Sequence, residues 1–201
     1  MSWTQEAQVL RQGGLLIYPT ETFYALGCLA TEHSAVERIF AAKGRSREKT
    51  VPLIVSSWGM VEKFLRLSRV AQALAEAFWP GPLSIVTDVD ESISALARDG
   101  AGQAAVRMTP HPVARSLCNL AQGPLVSSSA NFSGRLSVCA PQDLDTRLVR
   151  LSRAMVIDAE PWPQGGLPST LVKPVDGRAL RVLREGAVRV SELTAQGYEI
   201  V

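Results

Sequence analysis

The chain is a succession of short apolar runs, and most of them break off into a loop of small polar residues. Leu15-Leu16-Ile17-Tyr18 stops at Pro19-Thr20-Glu21-Thr22, and Leu125-Val126-Ser127 runs into Ser128-Ser129-Ala130-Asn131. Runs this short, bounded by proline or small polar residues, read as buried strands. Pro52-Leu53-Ile54-Val55 and residues 83–87, 104–108, 155–157, 170–172 and 180–183 extend the series. Helical segments separate them. Ser2-x-x-Gln5 reads as a capping box, with Val9 and Leu10 apolar and Gly13-Gly14 as the stop. Thr31 is expected to cap a helix that runs to Lys43, with Val36, Ile39 and Phe40 on one face. Trp58 to Phe78 reads as two helices parted near Ser68, with Trp58, Met60 and Phe64 spaced as core residues. Pro112 opens a helix that Gly123-Pro124 closes. Another follows Pro141, and a short one spans Val190 to Gly197. Strands interleaved with helices predict an α/β fold, a twisted mixed sheet with flanking helices, in one domain over residues 1–201.

Composition narrows the function. Of 201 residues 46% are hydrophobic and 20% charged, as in an ordinary globular protein, and the net charge of +2 is too small to argue for nucleic acid by itself. Three cysteines without close spacing, Cys28, Cys118 and Cys139, make a poor disulfide framework. Two histidines, His33 and His111, are too few for a zinc constellation or for a hydrolase triad to draw on. His33 in a first helical turn reads as a solvated neighbour of the cap, and His111 between two prolines has no catalytic role assigned. No export signal is evident at the N-terminus and no run approaches the ~18 apolar residues of a membrane span, so a cytoplasmic protein is expected.

The common phosphate motifs are absent. Gly13-Gly14 precedes its strand instead of following it, and no G-x-x-x-x-G-K-[ST] occurs. Two segments remain that could hold an anion. Lys43-Gly44-Arg45 closes a helix, where cations either complement the dipole or neutralise a ligand. Ser127-Ser128-Ser129-Ala130-Asn131 leaves a strand end, where it is either a polar turn or a site open to close approach. Arg107 lies in an otherwise apolar strand, so it is either half exposed or held for an anionic group. Trp79-Pro80-Gly81-Pro82 is rigid and apolar and reads as structural.

Taken in order, Tyr18-Pro19-Thr20-Glu21-Thr22, Tyr24-Ala25-Leu26-Gly27, Lys43-Gly44-Arg45, Pro52-Leu53-Ile54-Val55, Trp79-Pro80-Gly81-Pro82, Ala105-Val106-Arg107, Ser129-Ala130-Asn131, Pro168-Ser169-Thr170 and Leu183-Arg184-x-Gly186-Ala187 resemble the landmarks of the YrdC-like family. The resemblance runs from about Gly13 to Val188 and matches the short form of the family. It implies a fold around a large concave basic surface. It also implies an activity that joins L-threonine, bicarbonate and ATP into threonylcarbamoyl-AMP and pyrophosphate, for modification of the tRNA adenosine beside the anticodon. By the same resemblance Lys43 and Arg45 are catalytic. Those two with Ser129, Asn131, Ser137 and Arg184 face ATP, while Thr22, Arg107, Ser127 and Ser169 hold threonine. Magnesium is expected to arrive with ATP, so no metal ligand is assigned. A threonylcarbamoyl transferase complex is the implied partner. A module that binds tRNA or double-stranded RNA without catalysis is the alternative, and RNA contact is compatible with either. Three departures stand out: Ala25 where the family usually has glycine, Gln103 where threonine is common, and a longer loop at Glu48-Lys49-Thr50-Val51.

Overall fold

In the computed structural model, residues 3–46 and 50–201 are described. Two mixed sheets form the molecule, where a single sheet was expected. From the N-terminus the elements are α1 (Thr4–Arg11), β1 (Leu16–Pro19), β2 (Tyr24–Gly27), α2 (His33–Lys43), β3 (Leu53–Val55), α3 (Trp58–Phe64), β4 (Leu65–Arg66) and α4 (Arg69–Phe78). Next come β5 (Leu83–Val89), β6 (Gln103–Met108), α5 (Pro112–Ala121), β7 (Leu125–Val126), β8 (Ser128–Ser129), α6 (Thr146–Ser152) and β9 (Met155–Val156). The chain closes with β10 (Thr170–Pro174), β11 (Ala179–Arg184), α7 (Val190–Ala195) and β12 (Glu199–Ile200). Single 3-10 turns sit at Ala95–Ala97 and Pro141–Asp143.

The larger sheet has the order β12-β11-β10-β5-β6-β3-β7, with β4 paired to β5. The smaller sheet has the order β8-β2-β1-β9. Ser127 joins β7 of the larger sheet to β8 of the smaller, so the chain changes sheets at that residue. The sheets are stitched at the same place. The Tyr18 hydroxyl donates to the Val126 carbonyl at 2.8 Å, and the Val126 N–H donates to the Cys28 carbonyl at 2.9 Å. Gly27 makes this approach feasible, because a Cβ there would lie 1.9 Å from the Val126 carbonyl oxygen.

Local chemistry accounts for most boundaries. Ser57 and Ser68 cap α3 and α4 by accepting from Met60 N and Ala71 N. Pro112 stands at the first position of α5. Gly44, at φ 57°, ends α2 in the left-handed conformation that a non-glycine residue resists. One expected cap differs: Glu32 instead of Thr31 precedes α2, without a side-chain capping bond. Ser2 of the expected capping box lies outside the described residues, and the described Trp3 precedes α1. Trp58 is 39% exposed and tilts against Trp79 with ring centroids 6.3 Å apart, so it packs at the surface and not in the core as expected. His33 is not simply solvated: its Nδ1 is 3.0 Å from the Ser94 hydroxyl. Among the described residues no helix is long and apolar enough to cross a membrane.

Candidate active site

A cavity of about 170 Å³ opens where the two sheets meet. The β1–β2 hairpin loop brings Thr20, Thr22 and Phe23 to it, and β2 adds Tyr24 and Ala25. The sheet-changing segment contributes Ser127, Ser128 and Ser129, joined by Ser137 from the loop that follows. From the other side come Arg107 on β6, Arg184 at the end of β11, and Pro168 and Ser169 just before β10. Arg45, past the end of α2, and Pro52 complete the wall. Among the described residues, three guanidinium groups therefore face a ring of hydroxyls, and no carboxylate lines the cavity. Such a space selects anions, because a guanidinium binds carboxylate or phosphate by paired, charge-assisted bonds.

Each arginine is held differently. Arg107 is only 3% exposed, which excludes the half-exposed reading, and it forms an ion pair with Glu21. Its Nε donates to Glu21 Oε1 at 2.6 Å, while Nη2 reaches Thr20 and Ser127 hydroxyls only at 3.5 Å. Glu21 spends its second oxygen on the Thr109 hydroxyl at 2.7 Å. Burial works against the Glu21 carboxylate, yet Arg107 and Thr109 outweigh it and hold its pKa below the usual value. Arg184 donates through Nε and Nη2 to the Ser169 carbonyl at 3.1 and 2.8 Å, and reaches the Ser169 hydroxyl at 3.2 Å. Its pKa is lowered by burial and then by the positive charge of Arg107. Two cations close enough to disfavour each other make an anion between them welcome. Arg45 donates to the Thr50 carbonyl at 2.7 Å.

Lys43 and Asn131 lie beside the cavity and not on its wall. Lys43 is 4% exposed, and its Nζ donates to the Ser129 carbonyl, so it braces the serine strand from behind. Burial, and then Arg45, push its pKa down to about 8. Asn131 donates to the Arg135 carbonyl and lines a neighbouring cavity of about 460 Å³ with Phe132, Arg135 and Arg147. Its Oδ1 is buried without a partner among the described residues. The two cavities flank the segment Ser129-Ala130-Asn131.

Thr22, Arg45, Arg107, Ser127, Ser129, Ser137, Ser169 and Arg184, named from the sequence, thus share one cavity. Glu21, Thr20, Ser128 and Thr109 carried no assigned role, although the first two stood in a quoted landmark. Gln103 is remote from the wall, bonded to Asp88 at 2.9 Å. Glu48 and Lys49 lie outside the described residues, whereas Thr50 and Val51 of the same loop are described. His111 donates from Nε2 to the Pro161 carbonyl at 2.8 Å, and burial lowers its pKa.

The family model of Sua5, YciO and YrdC, described as "Telomere recombination", matches residues 8–186. The chain belongs to the Sua5/YciO/YrdC family. A protein of Pyrococcus abyssi named threonylcarbamoyl-AMP synthase is 33% identical over 190 residues, covering 85% of this chain and 56% of its own length. One of the same name from Methylococcus capsulatus is 36% identical over 178 residues, covering 87% of this chain and 94% of its own. The structure of P. abyssi Sua5 complexed with L-threonine superposes with a TM-score of 0.85 at 28% identity, over 98% of this chain and 58% of that one. E. coli YciO shares the fold, with a TM-score of 0.82 at 22% identity over 94% of this chain and 91% of its own. The chain therefore spans little more than half of the Pyrococcus proteins and nearly all of the Methylococcus one.

Proposed function

We propose that this family member is an L-threonylcarbamoyladenylate synthase, a nucleotidyltransferase. It condenses L-threonine, bicarbonate and ATP into threonylcarbamoyl-AMP, pyrophosphate and water. The convergence of Arg45, Arg107 and Arg184 on a cavity lined by hydroxyls carries this reading. The names of the relatives above and the threonine complex of P. abyssi Sua5 support it.

Arg107 takes the threonine carboxylate through its Nη edge, and Thr22, Ser127 and Ser169 supply short-range hydroxyl bonds. Threonine nitrogen and bicarbonate first give an N-carboxylated amino acid with loss of water. Its new carboxylate attacks the α-phosphorus in line, an O–P bond forms, and the bond to pyrophosphate breaks. Little covalent help is needed; positioning and charge stabilisation suffice. Arg45, Arg184, Ser129 and Ser137 face the phosphates, with Lys43 and Asn131 at the margin. About 170 Å³ falls short of the roughly 300–1,000 Å³ that encloses a larger ligand. The amino acid is therefore the enclosed substrate, and the nucleotide extends beyond this cavity.

Magnesium belongs with the triphosphate in this scheme and screens its charge. Magnesium usually binds through one or two carboxylates with substrate phosphates and waters, so it would be carried mainly by the nucleotide. The adenylate would pass to a threonylcarbamoyl transferase complex acting on tRNA. Enclosed cations among hydroxyls suit a small anion better than a phosphodiester backbone laid across a surface.

Pyrophosphate release tests the proposal. It is expected only when ATP, L-threonine and bicarbonate are all present. Equal release without threonine would falsify it.

A further inference from the structure

We propose that Glu21 is the positioning residue for Arg107 and so sets the affinity for the amino-acid carboxylate. The inference rests on the reading of Arg107 as the threonine carboxylate's partner and goes one residue deeper.

Glu21 sits in the β1–β2 hairpin loop of the smaller sheet, and Arg107 on β6 of the larger. Their ion pair therefore crosses the seam. The Glu21 carboxylate is fixed at both oxygens, by Arg107 Nε at 2.6 Å and by the Thr109 hydroxyl at 2.7 Å. Thr109 immediately follows β6, so one carboxylate grips both the arginine and the chain just beyond it. A guanidinium is a rigid planar fork, and fixing Nε fixes the direction of the terminal nitrogens. Arg107 Nη2 points to Thr20 and Ser127, both on the cavity wall, and its 3.5 Å contacts there are too long to be strong bonds. That edge is left for a ligand carboxylate. Glu21 is not on the wall, so it acts through Arg107 and not on substrate directly.

Geometry and charge can be separated. Glu21→Gln keeps the length of the side chain and an oxygen that accepts from Nε. Glu21→Asp keeps the charge but withdraws it by one methylene. L-threonine and ATP affinities are measured separately by calorimetry on the wild type and both variants, with steady-state kinetics and a thermal melt. For Glu21→Asp, threonine binding should weaken about tenfold and KM for threonine rise equally, with kcat at saturating threonine within about twofold and ATP affinity unchanged. Glu21→Gln should weaken threonine binding less than Glu21→Asp does, with ATP affinity unchanged. The Arg107 Nε–H signal in a nitrogen-15 spectrum should persist in Glu21→Gln and broaden or shift in Glu21→Asp.

Wild-type threonine affinity in Glu21→Asp would overturn the inference. So would a weaker Glu21→Gln than Glu21→Asp, since charge and not placement would then govern. A parallel loss of threonine and ATP binding with a lowered melt would assign Glu21 a general structural role and also overturn it. A wild-type protein that ignores threonine removes the substrate reading itself, and that result is visible before any variant is made.

Discussion

The eight-stranded sheet mounts two of the cavity's arginines, Arg107 and Arg184, and the four-stranded sheet brings the short hydroxyls of Thr20, Thr22, Ser128 and Ser129. Arg107 and Arg184 stand on β6 and β11, within or at the end of long paired strands. Thr20 and Thr22 sit in a tight hairpin loop, and Ser128 and Ser129 on a two-residue strand. A guanidinium needs a rigid mount, because its fork must meet a carboxylate or phosphate at fixed angles. A hydroxyl rotates to suit and tolerates a looser one. The seam holds the two sets in register, through Glu21–Arg107 and Tyr18–Val126.

Removing the charge should have the largest effect. Arg107→Ala is expected to lower threonine affinity about 100-fold while ATP still binds. It also strands Glu21, costing about 3 kcal/mol of stability. Calorimetry and denaturant titration read the two effects. If threonine binding survives, the charged sheet does not recognise the carboxylate.

Closing the space between the sheets comes next. Gly27→Ala puts a methyl where the Val126 carbonyl lies, at 1.9 Å, and should cost about 3 kcal/mol in a urea titration, with both substrates weakened. A neutral result would mean that the sheets part easily.

Lys43 tests the brace by pH. Its pKa is lowered to about 8 from an ordinary 10.5, burial being the main cause and Arg45 the second. The unfolded chain keeps this proton up to the higher value, so between about pH 8 and 10.5 it binds more protons than the folded chain. Wild type should therefore gain stability relative to Lys43→Met as pH rises through that window. If its charge serves the phosphates, kcat/KM for ATP should fall above about pH 8 at the same time. Opposite slopes of stability and activity are the signature sought; a flat difference in melting temperature would remove Lys43 from the account.

Tyr18→Phe is the mildest probe. It deletes one cross-sheet hydrogen bond and should cost about 1 kcal/mol, with substrate affinities unchanged.

Much of the fold is legible locally. The helix at Pro112–Ala121 has its proline start, α4 has its Ser68 cap, and β5 differs from expectation only in running on to Val89. Strands β4, β8 and β12 are two residues long, too short for any periodicity, and β2 was read only as a landmark. Their pairing depends on partners elsewhere in the chain. The candidate site divides in the same way. Arg107 is conspicuous in an apolar run, but Glu21 looks like turn chemistry until it is seen against a strand 86 positions away.

Residue types, turn chemistry and the order of the landmarks are properties of short stretches, and the sequence already contains them. They are enough to mark an α/β member of this family and to name most of the residues that share the cavity. Whether the strands form one sheet or two, which side of Ser129 receives Lys43, and which cavity Asn131 borders follow from contacts across dozens of residues. Hydrophobic burial chooses among such pairings over the whole chain at once, and no local pattern carries that information.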